Sequence, residues 1–342
     1  MQSQKFYMQR CFQLAKQSMG YVSPNPMVGC VIVYNDKIIG EGSHEMYGES
    51  HAENNAISNV VNKNLLRKST LYVNLEPCSH YGKTPPCADL IISHKIPKVV
   101  IGCTDTFSKV SGKGIKRMQD SGIKVILRTL EKESRFLNRR FFTFHEKNRP
   151  YIILKWAESK NGCMAPHNQK GPFWMTSAES KKLTHKWRAE EDAILVGNIT
   201  ARKDNPSLTV REVEGKNRIR IVLDKKLNLT EKLNLFNHES TTIIFNEIES
   251  SKKPNKIYIK VDFNKLIKNI LEELYKLKIQ SVIIEGGAIT LQSFINEDVW
   301  DEARVFKTKK NLVNGLKAPK ITGVSKVKKE IGDDQLEILI ND

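Results

Sequence analysis

The sequence predicts a two-domain α/β protein, and three observations carry that expectation. At 342 residues the chain exceeds what one hydrophobic core comfortably organises. Both halves alternate short β-branched runs with stretches of helical period, the pattern of sheets covered by helices. Between the halves lies the charged stretch His145-Glu146-Lys147-Asn148-Arg149-Pro150, so domains are expected at 1–147 and 148–342.

In the first half, residues 6–18 read as a helix, with Phe6, Arg10, Leu14 and Ser18 at successive turns. Pro24 and Pro26 then force extended backbone. Strands over 28–34 and 37–41 are expected to form a hairpin about Asn35-Asp36, residue types that tolerate positive φ. A loop through Gly42, His44 and Gly48 leads to a helix over 51–61, which puts His51 and Glu53 in its first turn. Strand 70–75 ends at Glu76-Pro77-Cys78, where proline breaks the ladder. Helix 88–94, strand 98–103, helix 115–121, strand 123–127 and helix 131–144 complete the half.

The second half opens on a strand over 151–156 and a turn over 159–162. A helix runs from a Ser177 N-cap to about 191. Strands follow at 193–197, 218–224, 241–245 and 256–260, then a helix over 266–277. Strand 282–284 ends at Glu285-Gly286-Gly287, with a helix beginning near Ala288. Glycines between a strand and a helix let backbone approach a phosphate, while the helix N-terminus favours its charge. Alone, a Gly-Gly turn is a weak signal, since most are only tight connections.

The net charge of +17 invites a nucleic-acid reading. The excess is not gathered in one patch of sequence: residues 1–147 carry 21 basic and 12 acidic side chains, and 148–342 carry 34 and 26. Lysine outnumbers arginine 41 to 14, which fits compositional bias as well as a binding surface. A basic protein handling phosphorylated small molecules, with no nucleic-acid partner, is the milder reading. No apolar run approaches the ~20 residues of a membrane span. The N-terminus lacks the apolar core of a signal peptide, so no membrane partner and a cytoplasmic location are expected.

Six cysteines without an export signal do not suggest a disulfide framework. Cys30 and Cys103 sit in apolar strand-like runs and read as buried small hydrophobes, while Cys11 and Cys163 have no partner pattern. Cys78 and Cys87 differ, lying in a polar loop punctuated by prolines. With His51 they offer one imidazole and two thiolates, three positions of a tetrahedral zinc with the fourth left for water. Zinc lowers the pKa of such a water to ~7. Glu53, two residues from His51, is the natural proton carrier beside it.

These segments resemble the deaminase half of the bifunctional riboflavin-biosynthesis family, whose signature is His-Ala-Glu followed by Glu-Pro-Cys-Ser-His-x-Gly-x-Thr-Pro-Pro-Cys. Here it reads His51-Ala52-Glu53, then Glu76-Pro77-Cys78-Ser79-His80-Tyr81-Gly82-Lys83-Thr84-Pro85-Pro86-Cys87. The family's early Pro-Asn-Pro-x-Val-Gly is Pro24-Asn25-Pro26-Met27-Val28-Gly29. The resemblance implies a cytidine-deaminase-like three-layer domain with one Zn2+ held by His51, Cys78 and Cys87. It makes Glu53 catalytic and places Asn25, His44 and His80 against the pyrimidine. For the two histidines a loop role, bonded to backbone, is an even alternative. The family's Asp-Pro-Asn-Pro-like loop is Asp105 to Gly114 here and lacks those prolines.

The order of Lys155, Thr176, an expected turn at Gly197-Asn198-Ile199-Thr200, Asp204-Asn205-Pro206, Leu208, Arg211 and the Gly286-Gly287 turn resembles the reductase half of the same family. That half has a dihydrofolate-reductase-like α/β fold and uses NADPH. The resemblance implies substrate contacts from Lys155, Thr176, Arg188, Leu208, Arg211 and Glu285, with Arg188 and Arg211 suited to the ribose phosphate. For the cofactor it implies Ala157, Trp174, Thr200, Asp204, Gly287, Ala288, Ile289, Thr290, Leu291, Gln292 and Ser293. Two positions depart from the family. Its Ser-Leu-Asp-Gly turn reads Ser159-Lys160-Asn161-Gly162, and Pro172 stands where it has a serine four residues ahead of the threonine.

The implied activity is zinc-dependent deamination of 2,5-diamino-6-(5-phosphoribosylamino)pyrimidin-4(3H)-one, then NADPH-dependent reduction to 5-amino-6-(5-phosphoribitylamino)uracil. A homo-oligomer, dimer or tetramer, is expected. The rivals are a deaminase with a weakened reductase half, a nucleic-acid base deaminase and a scaffold with structural zinc. The base deaminase needs no second domain, and a structural zinc calls for a fourth strong ligand.

Overall fold

The computed structural model describes residues 3–79, 85–106, 112–168, 171 and 173–341. The chain divides into two compact units, Met1–Lys147 and Asn148–Asp342. Among the described residues no helix is long and apolar enough to cross a membrane.

The first unit runs α1 (Gln4–Lys16), β1 (Gly29–Tyr34), β2 (Lys37–Ser43), α2 (Ala52–Ser58), β3 (Thr70–Leu75), α3 (Cys87–Ser93), β4 (Lys98–Cys103), α4 (Lys113–Asp120), β5 (Lys124–Ile126), α5 (Glu131–Leu137) and α6 (Arg139–Lys147). Its sheet has the order β2-β1-β3-β4-β5, antiparallel at β2-β1-β3 and parallel from β3 to β5. The hairpin turns at Asn35 and Asp36, both at positive φ. Strand alternation then splits the core in two. Cys30, Ile32, Leu71 and Val73 pack on one face against Ala52 and Ala56 of α2 and Ile91 of α3. Val31, Val33, Tyr72 and Val100 face Met8, Cys11 and Ala15 of α1. Helices therefore cover both faces, giving three layers.

Small residues set the seat of α2. A Cβ on Gly42 would stand 2.4 Å from the Ala56 nitrogen and 2.7 Å from the Ala52 oxygen, so helix backbone rests on strand backbone. The entry to β1 is fixed by two buried asparagines. Asn74 accepts from Gly29 N–H at 2.7 Å and donates to the Met27 carbonyl at 3.0 Å. Asn138 accepts from Met27 N–H at 2.8 Å and donates to the same carbonyl at 2.9 Å.

In the second unit, β6 (Tyr151–Glu158), β7 (Cys163–Pro166), α7 (Ala178–Glu190), β8 (Ala193–Gly197), α8 (Asn198–Asp204), β9 (Ile219–Leu223) and β10 (Thr242–Asn246) come first. Then follow β11 (Ser251–Lys253), β12 (Lys256–Lys260), α9 (Leu266–Lys276), β13 (Ser281–Ile284), α10 (Ala288–Asn296), β14 (Glu302–Lys307), β15 (Gly315–Lys317), β16 (Val324–Ile331) and β17 (Asp334–Ile340). Ten strands form one sheet in the order β11-β12-β10-β9-β8-β13-β6-β14-β17-β16. The run from β12 to β14 is parallel, and both ends are antiparallel. The chain works outward from β8 to β12, then returns to insert β13 between β8 and β6. Connections leaving β8 and β13 thus diverge from adjacent strand ends, the geometry that opens a ligand crevice in α/β sheets.

Three expectations need correction. The helix expected over 51–61 covers only Ala52–Ser58, with His51 as its N-cap in extended conformation. Lys63 Nζ donates to the carbonyls of Ile57, Ser58 and Val60 at 2.6–2.8 Å and closes the C-terminal end. The single helix expected over 131–144 is two, because Asn138 leaves helical geometry to hold Met27. The turn expected at 197–200 opens a helix, α8. The antiparallel strands β16 and β17 extend the sheet beyond 310, where the sequence predicts no element.

Candidate active sites

In the first unit the sheet brings two elements to one point. β3 ends at Leu75 and releases Cys78, while the seat of α2 presents His51 at its N-terminus. Cys87 opens α3. His51 Nδ1 lies 3.5 Å from Cys78 Sγ and 3.3 Å from Cys87 Sγ, and the three ligand atoms fall within 4.8 Å of one another. Bond lengths of ~2.0–2.1 Å to nitrogen and ~2.3 Å to sulfur at tetrahedral angles require about 3.6 Å between those atoms. The cluster fits zinc.

Its electrostatics suit a metal and a proton carrier. The Cys78 thiol is pulled down by hydrogen bonds from Cys87 and His51, so one thiolate is in place. The Cys87 thiol moves the other way, through its bond to Cys78 and through burial. Glu53, only 3% exposed, has its carboxyl pushed up by burial and by the Cys78 charge. A carboxyl raised in this way holds a proton more readily than an exposed one, as a proton carrier must.

Asn25 and His44 stand beside this cluster. The His44 ring meets the His51 ring edge-on at 5.3 Å. Its Nδ1 lies 3.0 Å from the Ser50 carbonyl, which only accepts, so Nδ1 carries the proton and Nε2 accepts from Asn25 Nδ2 at 3.0 Å. Burial lowers its pKa, keeping the ring neutral. Both ring nitrogens are therefore engaged within the protein. His80 lies outside the described residues, as do Phe107 to Ser111 of the Asp105 loop.

Sequence reasoning passed over Glu76. Its carboxylate accepts from the amides of Asp105 (3.3 Å), Gly112 (3.0 Å), Gly114 (3.2 Å) and Ile115 (3.4 Å), tying the Pro77-Cys78 corner to the start of α4. A glutamate in the Glu-Pro-Cys run was visible, but nothing local marks the distant amides it binds.

In the second unit, alternation along β6 sends Ile153, Lys155 and Ala157 to the face covered by α7. There Arg188 of α7 meets Glu285 at the end of β13, Nε to Oε1 and Nη2 to Oε2 at 2.8 Å each. A third donor, Nη1, reaches the Thr209 carbonyl at 3.4 Å. The Lys155 ammonium is brought down by burial, with Glu285 opposing that shift. Arg211 donates to Thr209 Oγ1 at 2.6 Å, and buried Leu208 takes positive φ at 51° in the same loop. Thr176 precedes the Ser177 N-cap of α7. Lys155, Arg188, Arg211 and Glu285 thus form one neighbourhood in which Arg188 is largely consumed by Glu285.

Of the expected cofactor residues, Thr200, Asp204 and Gly287 to Ser293 lie on the connections leaving β8 and β13, whereas Ala157 is on β6 and Trp174 lies ahead of α7. A Cβ on Gly286 would stand 2.5 Å from the Gly197 nitrogen, and one on Gly197 would stand 2.5 Å from Thr290 Oγ1. Gly287, at φ 33°, has Thr200 Oγ1 3.2 Å from its Cβ position. The N-termini of α8 and α10 have no side-chain cap, so their amides stay available to a phosphate. That cradle fits a dinucleotide. Ile289 is 74% exposed and Trp174 55%, whereas Leu291 is fully buried and offers only backbone. The side chains of Gln292 and Ser293 bond Asn296 and the Ile289 carbonyl. Asp204 ends α8, about 6 Å of helix rise beyond Thr200. Asp224, also unforeseen, bonds Asn198 Nδ2 at 2.9 Å and steadies the start of α8.

A His-Cys-Cys cluster with a buried glutamate, on a five-stranded sheet between helix layers, defines a zinc-deaminase type of domain. A phosphate cradle between β8 and β13 beside a buried cationic cluster defines a nucleotide-dependent reductase type. The comparisons agree with both. Residues 1–103 match the cytidine and deoxycytidylate deaminase zinc-binding region, and residues 150–324 match the RibD C-terminal domain. The riboflavin biosynthesis protein RibD of Aquifex aeolicus is 41% identical over 320 residues, covering 91% of this chain and 88% of that one. RibD of Synechocystis is 33% identical over 346 residues, with 99% and 91% covered. A crystal structure from Thermotoga maritima, described as a diaminohydroxyphosphoribosylaminopyrimidine deaminase/5-amino-6-(5-phosphoribosylamino)uracil reductase, superposes with a TM-score of 0.91 at 35% identity, covering 99% of each chain. The chain belongs to the RibD family of riboflavin biosynthesis, and it is a bifunctional deaminase and reductase.

Proposed function

We propose that residues 1–147 deaminate 2,5-diamino-6-(5-phosphoribosylamino)pyrimidin-4(3H)-one and that residues 148–342 reduce the product's ribosyl chain with NADPH. The observation that carries the first step is the His51 Nδ1 atom, 3.5 and 3.3 Å from two cysteine sulfurs, with Glu53 buried beside it. Zinc held there supplies a Lewis acid with a fourth position open to water. Glu53 takes a proton from the attacking water and returns it to the amino group, which leaves as ammonia. His44, neutral and bonded to Asn25, fixes one wall beside His51.

For the second step the supporting feature is charge. Lys155, Arg188 and Arg211 outnumber Glu285, and Glu212 beside Arg211 is itself paired with Lys181, an excess of positive charge that suits a phosphate monoester. NADPH bound at the cradle would supply the hydride that turns the ribosyl chain into a ribityl chain. The amides opening α8 and α10, with Thr200, Thr290 and the glycines between them, hold the cofactor phosphates.

The test follows ammonia release and NADPH oxidation separately, with the pyrimidine substrate and with or without NADPH. Ammonia is expected in both arms, and NADPH oxidation only with the pyrimidine. Glu53→Gln is expected to lower ammonia release by roughly 10²–10⁴-fold. Ammonia release at the unmutated rate in that variant would remove the assignment of Glu53.

A further inference from the structure

His185 lies on α7, one turn before Arg188, and is 1% exposed. Its Nδ1 accepts the main-chain N–H of Arg211 at 3.2 Å. An imidazole nitrogen that accepts carries no proton, so in the neutral ring the proton resides on Nε2. That Nε2 is buried and has no hydrogen-bond partner among the described residues. Burial, then the charges of Arg188 and Arg211, lower the pKa of the ring to about 4 and hold it in this neutral form.

Around His185 the charges are Arg188 and Arg211 against Glu212 and Glu285. Glu285 is taken by Arg188 and Glu212 by Lys181, while the Arg211 guanidinium donates to the Thr209 hydroxyl at 2.6 Å. We propose that His185 is a positioning residue of the reductase substrate site: its Nδ1 fixes the Arg211 backbone, and through it the guanidinium that meets the phosphorylated substrate. The inference rests on the proposed reductase reading, and it adds a residue that the comparison of motifs does not supply. Arg211 supplies charge from a loop, and a loop guanidinium binds tightly only if its backbone is held beforehand. His185 does that from a helix.

The two ring nitrogens are separable by substitution. His185→Asn keeps an acceptor near Nδ1 and removes the Nε2 donor; His185→Gln keeps a donor near Nε2 and removes the acceptor; His185→Ala removes both. In the full-length zinc-loaded enzyme, His185→Ala is expected to raise the KM for the phosphorylated pyrimidine roughly tenfold or more, with the KM for NADPH within about twofold. His185→Asn, which keeps the acceptor, is expected to recover part of that loss, and His185→Gln, which removes it, to recover none. Protection by ribose 5-phosphate, read as a rise in melting temperature, should fall in the same order. Ribose, lacking the phosphate, should distinguish none of the variants.

An unchanged pyrimidine KM in a folded His185→Ala protein would overturn the proposal. Equal losses for pyrimidine and NADPH would also overturn it, by showing a merely structural role. If His185→Ala does not fold, the Asn and Gln variants decide alone: unmutated ribose 5-phosphate protection in His185→Gln, or protection lost as fully in His185→Asn as in His185→Gln, counts against the idea. The reading beneath it fails differently: the unmutated enzyme would then not oxidise NADPH with the pyrimidine at all.

Discussion

Glu285 lies flat against Arg188, each oxygen taking one guanidinium N–H at 2.8 Å, with both side chains 8% exposed. Burial alone raises the Glu285 carboxyl, but the Arg188 charge and its two bonds outweigh burial and bring it to about 2. The pair is a charged strut between α7 and the end of β13, set where the phosphate cradle begins.

The strut makes stability depend on pH in a definite direction. A carboxyl lowered in the folded state stabilises fully above its unfolded value, ~4.3, and loses that contribution as pH falls through the folded value near 2. Denaturant unfolding is expected to weaken by on the order of 3 kcal/mol between pH 5 and pH 2 on this account. Glu285→Gln should flatten that slope and cost about 3–5 kcal/mol at pH 7, because a buried guanidinium then lacks its counter-charge. Replacing both residues, Arg188→Met with Glu285→Leu, should cost less than Glu285→Gln alone. A Glu285→Gln protein with the original pH slope would show that other carboxylates carry it.

Glu76 is expected to govern metal retention without touching the metal. Its four amide partners lie on both sides of the 107–111 segment, and Pro77-Cys78 follows it directly. Glu76→Gln turns an acceptor oxygen into a donor that faces amides, a loss of about 1–3 kcal/mol. The prediction is faster zinc loss to a chelator and lower ammonia release, with NADPH oxidation on pre-deaminated substrate unchanged. Atomic absorption after timed dialysis reads the first effect.

Gly42→Ala tests how the first site is held from behind. The added methyl would meet the Ala56 nitrogen at 2.4 Å and the Asn55 Cβ at 2.7 Å, so α2 must move off β2. Overpacking of this kind costs about 1–3 kcal/mol, and here it displaces the helix that carries His51 and Glu53. Deaminase kcat should drop while the reductase keeps its rate. An unchanged deaminase with an unchanged melting curve would mean that the sheet absorbs the methyl elsewhere.

The strands over 70–75, 98–103, 193–197 and 256–260 were legible, with boundaries that coincide with the structure, because their side chains alternate or run continuously apolar; β7, β11, β14 and β15 were not. The zinc cluster was legible because its chemistry needs unusual residue types close in sequence. Asn138 was not, since the break between α5 and α6 comes from a bond to Met27, 111 positions away. Glu76, Asp224 and His185 escaped for the same reason: each binds backbone or side chains contributed by distant segments. β16 has no clear apolar signal because nearly all of it is exposed, whereas β17 alternates Leu336, Ile338 and Ile340 and is marked as a sheet strand by its pairing with β14.

The departure at Asn161 also has a physical content that sequence alone did not supply. Where the family has an aspartate, Asn161 Oδ1 accepts from Ser159 Oγ at 2.6 Å and from Leu312 N–H at 3.1 Å, while its Nδ2 donates to the Leu312 carbonyl at 2.8 Å. The amide therefore pairs with both main-chain groups of Leu312, which a carboxylate cannot do, because it has no donor. Asn161→Asp is expected to set an oxygen against the Leu312 carbonyl and to loosen the 308–317 segment that leads into β15. The loss should be about 1 kcal/mol, too little to unfold the unit. Amide exchange at Leu312 and along β15 is the direct measurement, and it should quicken in the variant while exchange in β13 holds. Equal protection in both proteins would mean that the β7-β15 pairing, not Asn161, secures this segment.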